Sequence, residues 1–150
     1  MANKDNNKEG FSKMSINWYP GHMAKTKKQI AEDLKLIDVV VEILDARIPV
    51  SSQNPDVANI IENKKRIIVL NKSDLADDTQ NKLWKDFFTN KGIPTIVVNS
   101  NTGAGTQNII KEVKNIMQED LTKQEERGRV NKNIRIMIVR NTQCGKIFSY

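Results

Sequence analysis

The sequence predicts an α/β fold, a mainly parallel sheet with flanking helices, on three observations. Short runs rich in β-branched residues, at 38–44, 67–70, 95–98 and 134–139, alternate with helical patterns. The first two runs (Val39-Val40-Val41-Glu42-Ile43-Leu44 and Ile67-Ile68-Val69-Leu70) are nearly continuous apolar stretches, as strands buried on both faces require. The segments between runs are long enough for crossover helices, so successive strands lie parallel under the right-handed crossover rule.

Residues 1–13 are rich in Asn and Lys with little apolar content, and are expected to form a disordered arm before a single domain at 14–150. Trp18-Tyr19-Pro20-Gly21-His22-Met23 reads as a fixed turn whose rings pack onto the domain. A helix is expected from 24 to about 36, with Lys25, Lys27, Lys28 and Lys35 opposite an apolar face of Ile30, Ala31 and Leu34. The first strand ends in Asp45-Ala46-Arg47-Ile48-Pro49; a polar loop at 51–56 and a short helix at 57–64 follow. The second strand delivers Asn71-Lys72-Ser73-Asp74. The helix at 79–91 is expected to bury Leu83, Trp84, Phe87 and Phe88. Gly92-Ile93-Pro94 turns into the third strand, which runs on into Asn99-Ser100-Asn101-Thr102-Gly103-Ala104-Gly105. A helix from 106 to about 117 carries Ile109, Ile110, Val113 and Ile116 in register, 118–133 reads as a charged linker, and the fourth strand follows.

Bulk properties exclude several classes. At 150 residues with 38% hydrophobic content the chain suits one globular domain, and no run approaches a membrane span. The polar N-terminus does not fit a signal peptide. One cysteine, Cys144, leaves no internal disulfide and fits a reducing, cytoplasmic setting. The net charge of +6 favours acidic partners, nucleic acid first.

Asn71-Lys72-Ser73-Asp74 is the stretch that carries chemistry. In open α/β sheets ligands bind at the carboxyl ends of strands, where this loop falls. Guanine presents a ring N–H and an exocyclic amine side by side, and the Asp74 carboxylate is suited to accept from both. Such charge-assisted bonds are worth roughly 1.5–3 kcal/mol each. Adenine offers no donors in that arrangement and leaves the carboxylate unpaired. The Lys72 stem would lie over the base and Asn71 would tie neighbouring loops together. As plain structure, the same residues make a polar turn before a helix.

Asn-Lys-x-Asp resembles the guanine-specificity motif of GTP-binding proteins. Its position before the last strand, with Trp18-Tyr19-Pro20-Gly21-His22-Met23-Ala24-Lys25 near the start and Asp45-Ala46-Arg47-Ile48-Pro49 after the first strand, is similar to circularly permuted GTPases. Among them it most resembles the ribosome biogenesis GTPase A family, over roughly residues 14–139. The resemblance implies GTP hydrolysis with Mg2+ in late assembly of the 50S ribosomal subunit, with the 50S precursor and its rRNA as partners. It also implies a second base-contacting loop at Asn99 and Ser100, where a backbone N–H reaches the guanine carbonyl. His22 takes the place of the histidine implicated in hydrolysis, and an imidazole near neutrality is able to orient water. On its residues alone His22 is a turn histidine. Asp45 and Arg47 read as structural, Asp45 capping a turn and Arg47 pairing with an acidic group or RNA phosphate.

The phosphate loop departs from the pattern. Gly-x-x-x-x-Gly-Lys-Ser/Thr needs glycines so that backbone N–H groups surround the phosphates, and a hydroxyl for Mg2+. Here the stretch is Arg140-Asn141-Thr142-Gln143-Cys144-Gly145-Lys146-Ile147. Gly145 and Lys146 remain as candidate phosphate contacts, but Arg140 replaces a glycine and Ile147 the hydroxyl, so no metal ligand is assigned. A one-base shift of reading frame after Val139 turns codons compatible with this tail into Gly-Ile-Pro-Asn-Val-Gly-Lys-Ser-Phe-Leu, an intact loop. Our hypothesis is therefore a frameshift truncating the domain at about four of six strands. Resequencing across codon 139 tests it; an unshifted frame there would sink it. Four strands are expected to pair in the order third, second, first, fourth. The fourth is then an unpaired apolar edge, from which poor solubility follows. An alternative function is a non-catalytic basic remnant that contacts rRNA without binding nucleotide.

Overall fold

The computed structural model describes residues 21–128, 133–140 and 143–149; at 21–23, 26 and 143–149 it describes the backbone alone. The expected arm at 1–13 and the Trp18-Tyr19-Pro20 turn therefore lie outside the described residues. The chain forms α1 (Gly21–Asp33), β1 (Val39–Asp45), α2 (Pro55–Ile60), β2 (Lys65–Asn71), α3 (Asp78–Asn90), β3 (Thr95–Val97), α4 (Thr106–Glu125), β4 (Arg135–Arg140) and β5 (Gln143–Ser149). One sheet runs in the order β3-β2-β1-β4-β5. Its first four strands are mutually parallel and take the expected order.

β1 lies between β2 and β4, and burial on both faces accounts for its nearly continuous apolar run. Alternate side chains then divide the core. Val39 and Val41, with Ile67, Val69, Val113 and Met117, fill one face beneath α4. On the other face Val40 packs with Ile30, Leu34, Val57 and Ile61 of the α1 and α2 region, while Leu44 and Leu70 meet Phe88 of α3. Lys27 Nζ lies 2.9 Å from Asp56 Oδ1, linking α1 to α2.

Several expectations are corrected. Only Phe88 of the four α3 residues is fully buried; Trp84 is partly so, while Leu83 and Phe87 are 56% and 40% exposed. Asn81, Trp84 and Phe88 define the inner face at helical spacing, and Asn81 Nδ2 donates to Ser73 O at 3.2 Å. Ala31 is exposed rather than on the inner face of α1. The helix α4 continues to Glu125, through residues read as linker, because Val113, Met117 and Leu121 keep facing the sheet. Lys65 Nζ fastens it, donating to Ile116 O at 2.7 Å and pairing with Asp120 at 2.8 Å. The start of α2 falls earlier than expected, at Pro55, where Asn54 accepts from Asp56 N at 3.1 Å.

The largest correction concerns the edge. β4 is not unpaired: the chain reverses and β5 lies antiparallel against it, pairing Arg140 with Gln143 and Ile136 with Phe148. The open apolar edge from which poor solubility was expected is therefore covered. The hydrogen-bonding groups along an edge strand take any extended segment within reach, and this tail is the nearest in the chain.

One polar side chain interrupts the core of β1. Glu42 is 3% exposed, its Oε2 lacks a hydrogen-bond partner, and the closest cation, Arg66 Nη1, lies 3.8 Å away. Burial raises its pKa above the usual 4.5, against the lowering pull of Arg66 and a Gln53 hydrogen bond. With the folded value raised, its favourable contribution is full below about 4.5 and is lost as pH rises through the folded value. Glu42→Gln is expected to stabilise the fold at pH 7, on the order of 1 kcal/mol. That gain should shrink as pH falls towards the unfolded value; urea denaturation at several pH values measures it.

Candidate guanine-base site

The two candidate base loops follow β2 and β3, beside the turn after β1. The register aligns Asp45 with Asn71 and Leu70 with Val97, so the loops after the three strands leave the sheet side by side. Backbone bonds lock them: Ala46 N donates to Asn71 O at 2.8 Å, Val98 N to Leu70 O at 2.8 Å, and Ser73 N to Val98 O at 3.3 Å.

Asn71 Oδ1 accepts from Ser100 N at 3.1 Å. Two loops 29 residues apart are thus joined by the side chain expected to join them. Asn99 organises the second loop: its Oδ1 accepts from Asn101 N at 2.9 Å, and its own N–H donates to Ala104 O at 3.0 Å. Gly105 closes that loop with a left-handed backbone at φ 80°, capping α4. Asp74 lies in a short 3-10 turn, Ser73–Leu75, exposed at the rim, and among the described residues no hydrogen bond or ion pair engages its carboxylate. The five residues Asn71, Lys72, Asp74, Asn99 and Ser100 are therefore gathered on two adjoining loops. A carboxylate left available beside an ordered backbone loop is an arrangement suited to a base with adjacent donors.

Lys72 departs from a simple extended loop. Among the described residues it is the non-glycine with positive φ, at 61°, a conformation that costs roughly 1–2 kcal/mol. Its Nζ lies 3.0 Å from Asp45 Oδ2. Asp45 in turn accepts from Arg47 Nε at 2.9 Å and Arg47 Nη2 at 2.7 Å, a two-pronged pair, and from Arg47 N at 3.1 Å. The Arg47 hydrogen bond, with help from Lys72, holds the Asp45 carboxyl well below the usual carboxylate range. Asp45 thus caps its turn and Arg47 finds an acidic partner, as expected. The link from Asp45 to Lys72 was not legible, because it depends on the register between β1 and β2.

A cavity of about 200 Å³ opens beside this cluster, lined by Asp45, Ser51, Ser52, Asn71, Lys72 and Arg140 among others. It sits where the strand order reverses between β1 and β4, the crevice favoured for ligands in such sheets.

The phosphate side does not fit. Gly145 and Lys146 fall within β5, and Lys146 pairs with Ile138 of β4, rather than forming a loop that opens a helix. Such a loop depends on strand, glycine turn and helix N-terminus in succession. With Ile147 in place of the hydroxyl, the residues present do not fit a triphosphate with Mg2+. His22 lies in the first turn of α1, and its side chain is outside the described residues.

No family model matches the chain. The chain is 45% identical over 133 residues to the ribosome biogenesis GTPase A of Bacillus licheniformis, covering 89% of this chain and 47% of that protein. It is 44% identical to the Bacillus cereus protein of the same name, covering 89% of this chain and 45% of that one. A crystal structure of GNP-bound YlqF from Thermotoga maritima superposes with a TM-score of 0.56 at 29% identity, covering 77% of this chain and 42% of that chain. The chain spans about half the length of the curated relatives it matches. Over that span, the order of its strands and loops and its likeness to these proteins place the chain in the ribosome biogenesis GTPase A family.

Proposed function

We propose that this chain carries the base-recognising half of a circularly permuted guanine-nucleotide domain. The whole protein of this type would bind and hydrolyse GTP during late assembly of the 50S subunit in the cytoplasm. The observation that supports this reading best is the Asn71–Ser100 bond, which ties the two base loops together with Asp74 free at their rim. In this reading Asp74 reads the guanine donors and the Ser100 loop offers backbone N–H to the carbonyl. Asn71 and Asn99 hold the loops, and Lys72 supports the base. Within the whole domain His22 would orient the attacking water, and Mg2+, when bound, would supply charge neutralisation at the phosphates. The 50S precursor and its rRNA are the partners, met through basic positions such as the exposed Lys25 and Lys28 of α1.

A second reading is a basic remnant that contacts rRNA without nucleotide. It is favoured by one observation, the incorporation of Gly145 and Lys146 into β5. Binding of labelled GTP to the 150-residue chain, with and without Mg2+, separates the two. The expected result is weak, Mg2+-independent binding that free guanosine competes away, since triphosphate affinity rests on the phosphate loop and metal. No competition by guanosine at any concentration, with salt-dependent rRNA binding retained, would leave the remnant reading standing.

A further inference from the structure

We propose that Asp45 and Arg47 act as a positioning pair that holds Lys72 in its left-handed conformation and aims it at the base, so that the segment after β1 sets guanine affinity. The inference rests on the base-site reading above. Lys72 belongs to the loop after β2, whereas Asp45 and Arg47 follow β1; only the parallel pairing of Asp45 with Asn71 brings them together. At φ 61° Lys72 is strained, and backbone bonds on its own turn, Ser73 N to Val98 O at 3.3 Å and Leu75 N to Lys72 O at 3.0 Å, help to hold it. The ion pair at 3.0 Å adds a hold on its side chain from outside the loop. Arg47 occupies both carboxylate oxygens and so fixes the rotamer of Asp45.

The segment after β1 is itself well anchored. Ser52 Oγ accepts from Asp45 N at 3.0 Å and donates to Pro49 O at 2.9 Å, closing residues 45–52 into a compact turn. The Asp45 side chain is 15% exposed, against 40% for Lys72 and 47% for Arg47. The carboxylate is thus the inner member, flanked by two cations nearer to solvent. A bound base covering Lys72 would remove water from this cluster and strengthen the pair it depends on.

The test uses the 150-residue chain with GMP as probe, in two arms. In the first, without ligand, NMR of the lysine ammonium groups should show Lys72 distinct from exposed lysines. Asp45→Asn should merge it with them. A Lys72 signal unchanged by Asp45→Asn overturns the inference. In the second, Asp45→Asn should weaken GMP by about fivefold, as loss of a partly exposed ion pair predicts. The same change made in a Lys72→Met background should cost almost nothing, since the residue acted upon is gone. Losses that simply multiply mean a general structural role and overturn the inference. Arg47→Gln, which leaves Asp45 in place, is the second variant: a smaller loss in the same direction supports the proposal, and none counts against it. If the unaltered chain binds GMP and Asp45→Asn binds it equally well, only this inference falls. If the unaltered chain binds no GMP, the base-site reading falls and takes this inference with it.

Discussion

Asp74→Asn is expected to lower affinity for guanine compounds by roughly 10²–10³-fold while creating affinity for xanthine. The carboxylate offers two acceptor oxygens to two neighbouring donors on guanine. An amide keeps one acceptor and turns a donor towards the exocyclic amine, so one charge-assisted bond is lost and a donor–donor clash appears. Xanthine carries a carbonyl where guanine carries that amine, and the new amide donor matches it. Because Asp74 is exposed and unengaged among the described residues, the fold should keep its stability within about 0.5 kcal/mol. Competition binding with GMP, xanthosine monophosphate and AMP measures the exchange. Equal GMP binding by both forms would remove Asp74 from the site.

Gly105→Ala is expected to destabilise the fold by about 2–4 kcal/mol, from left-handed strain and a clash together. Gly105 has φ 80°, and a Cβ placed on it would stand 2.5 Å from Val97 O. That oxygen belongs to the backbone at the end of β3, so relief requires the strand end or the loop to shift. Displacement there moves Asn99 and Ser100, so base affinity should fall along with stability. Gly103→Ala is the control: φ is 76° but nothing lies within 4 Å of the added carbon, so only the strain remains, about 1 kcal/mol. Thermal melting of the two variants separates the effects, and equal losses would show that the close approach to Val97 O is relieved at no cost.

The exposed neighbours on α3 show where pattern reading falls short. Leu83, Trp84, Phe87 and Phe88 look like one apolar face, yet Trp84 stacks on Phe88 while Phe87 meets both rings edge-on and stays near the surface. Lys91 Nζ sits 4.2 Å from the Phe87 ring centroid, which gives that ring a polar partner at the surface. Asn81 takes an inner position instead, its Nδ2 donating at 3.2 Å to Ser73 O, which also accepts from Ala76 N. A hydrogen bond to a loop eight residues earlier is not visible in the apolar pattern of the helix.

By itself the sequence determined the four parallel strands, their order and the letters of the candidate loops. These follow from nearly continuous apolar runs, crossover lengths and the residue types at Asn71, Asp74 and Asn99, all read along the chain. Only the tertiary structure decided that Asp45 holds Lys72, that β5 covers β4 and that α4 runs on to Glu125. Each of those depends on which groups the register sets opposite one another: an ammonium beside a carboxylate 27 residues earlier, an unpaired strand edge beside a returning tail, and Leu121 still facing the sheet.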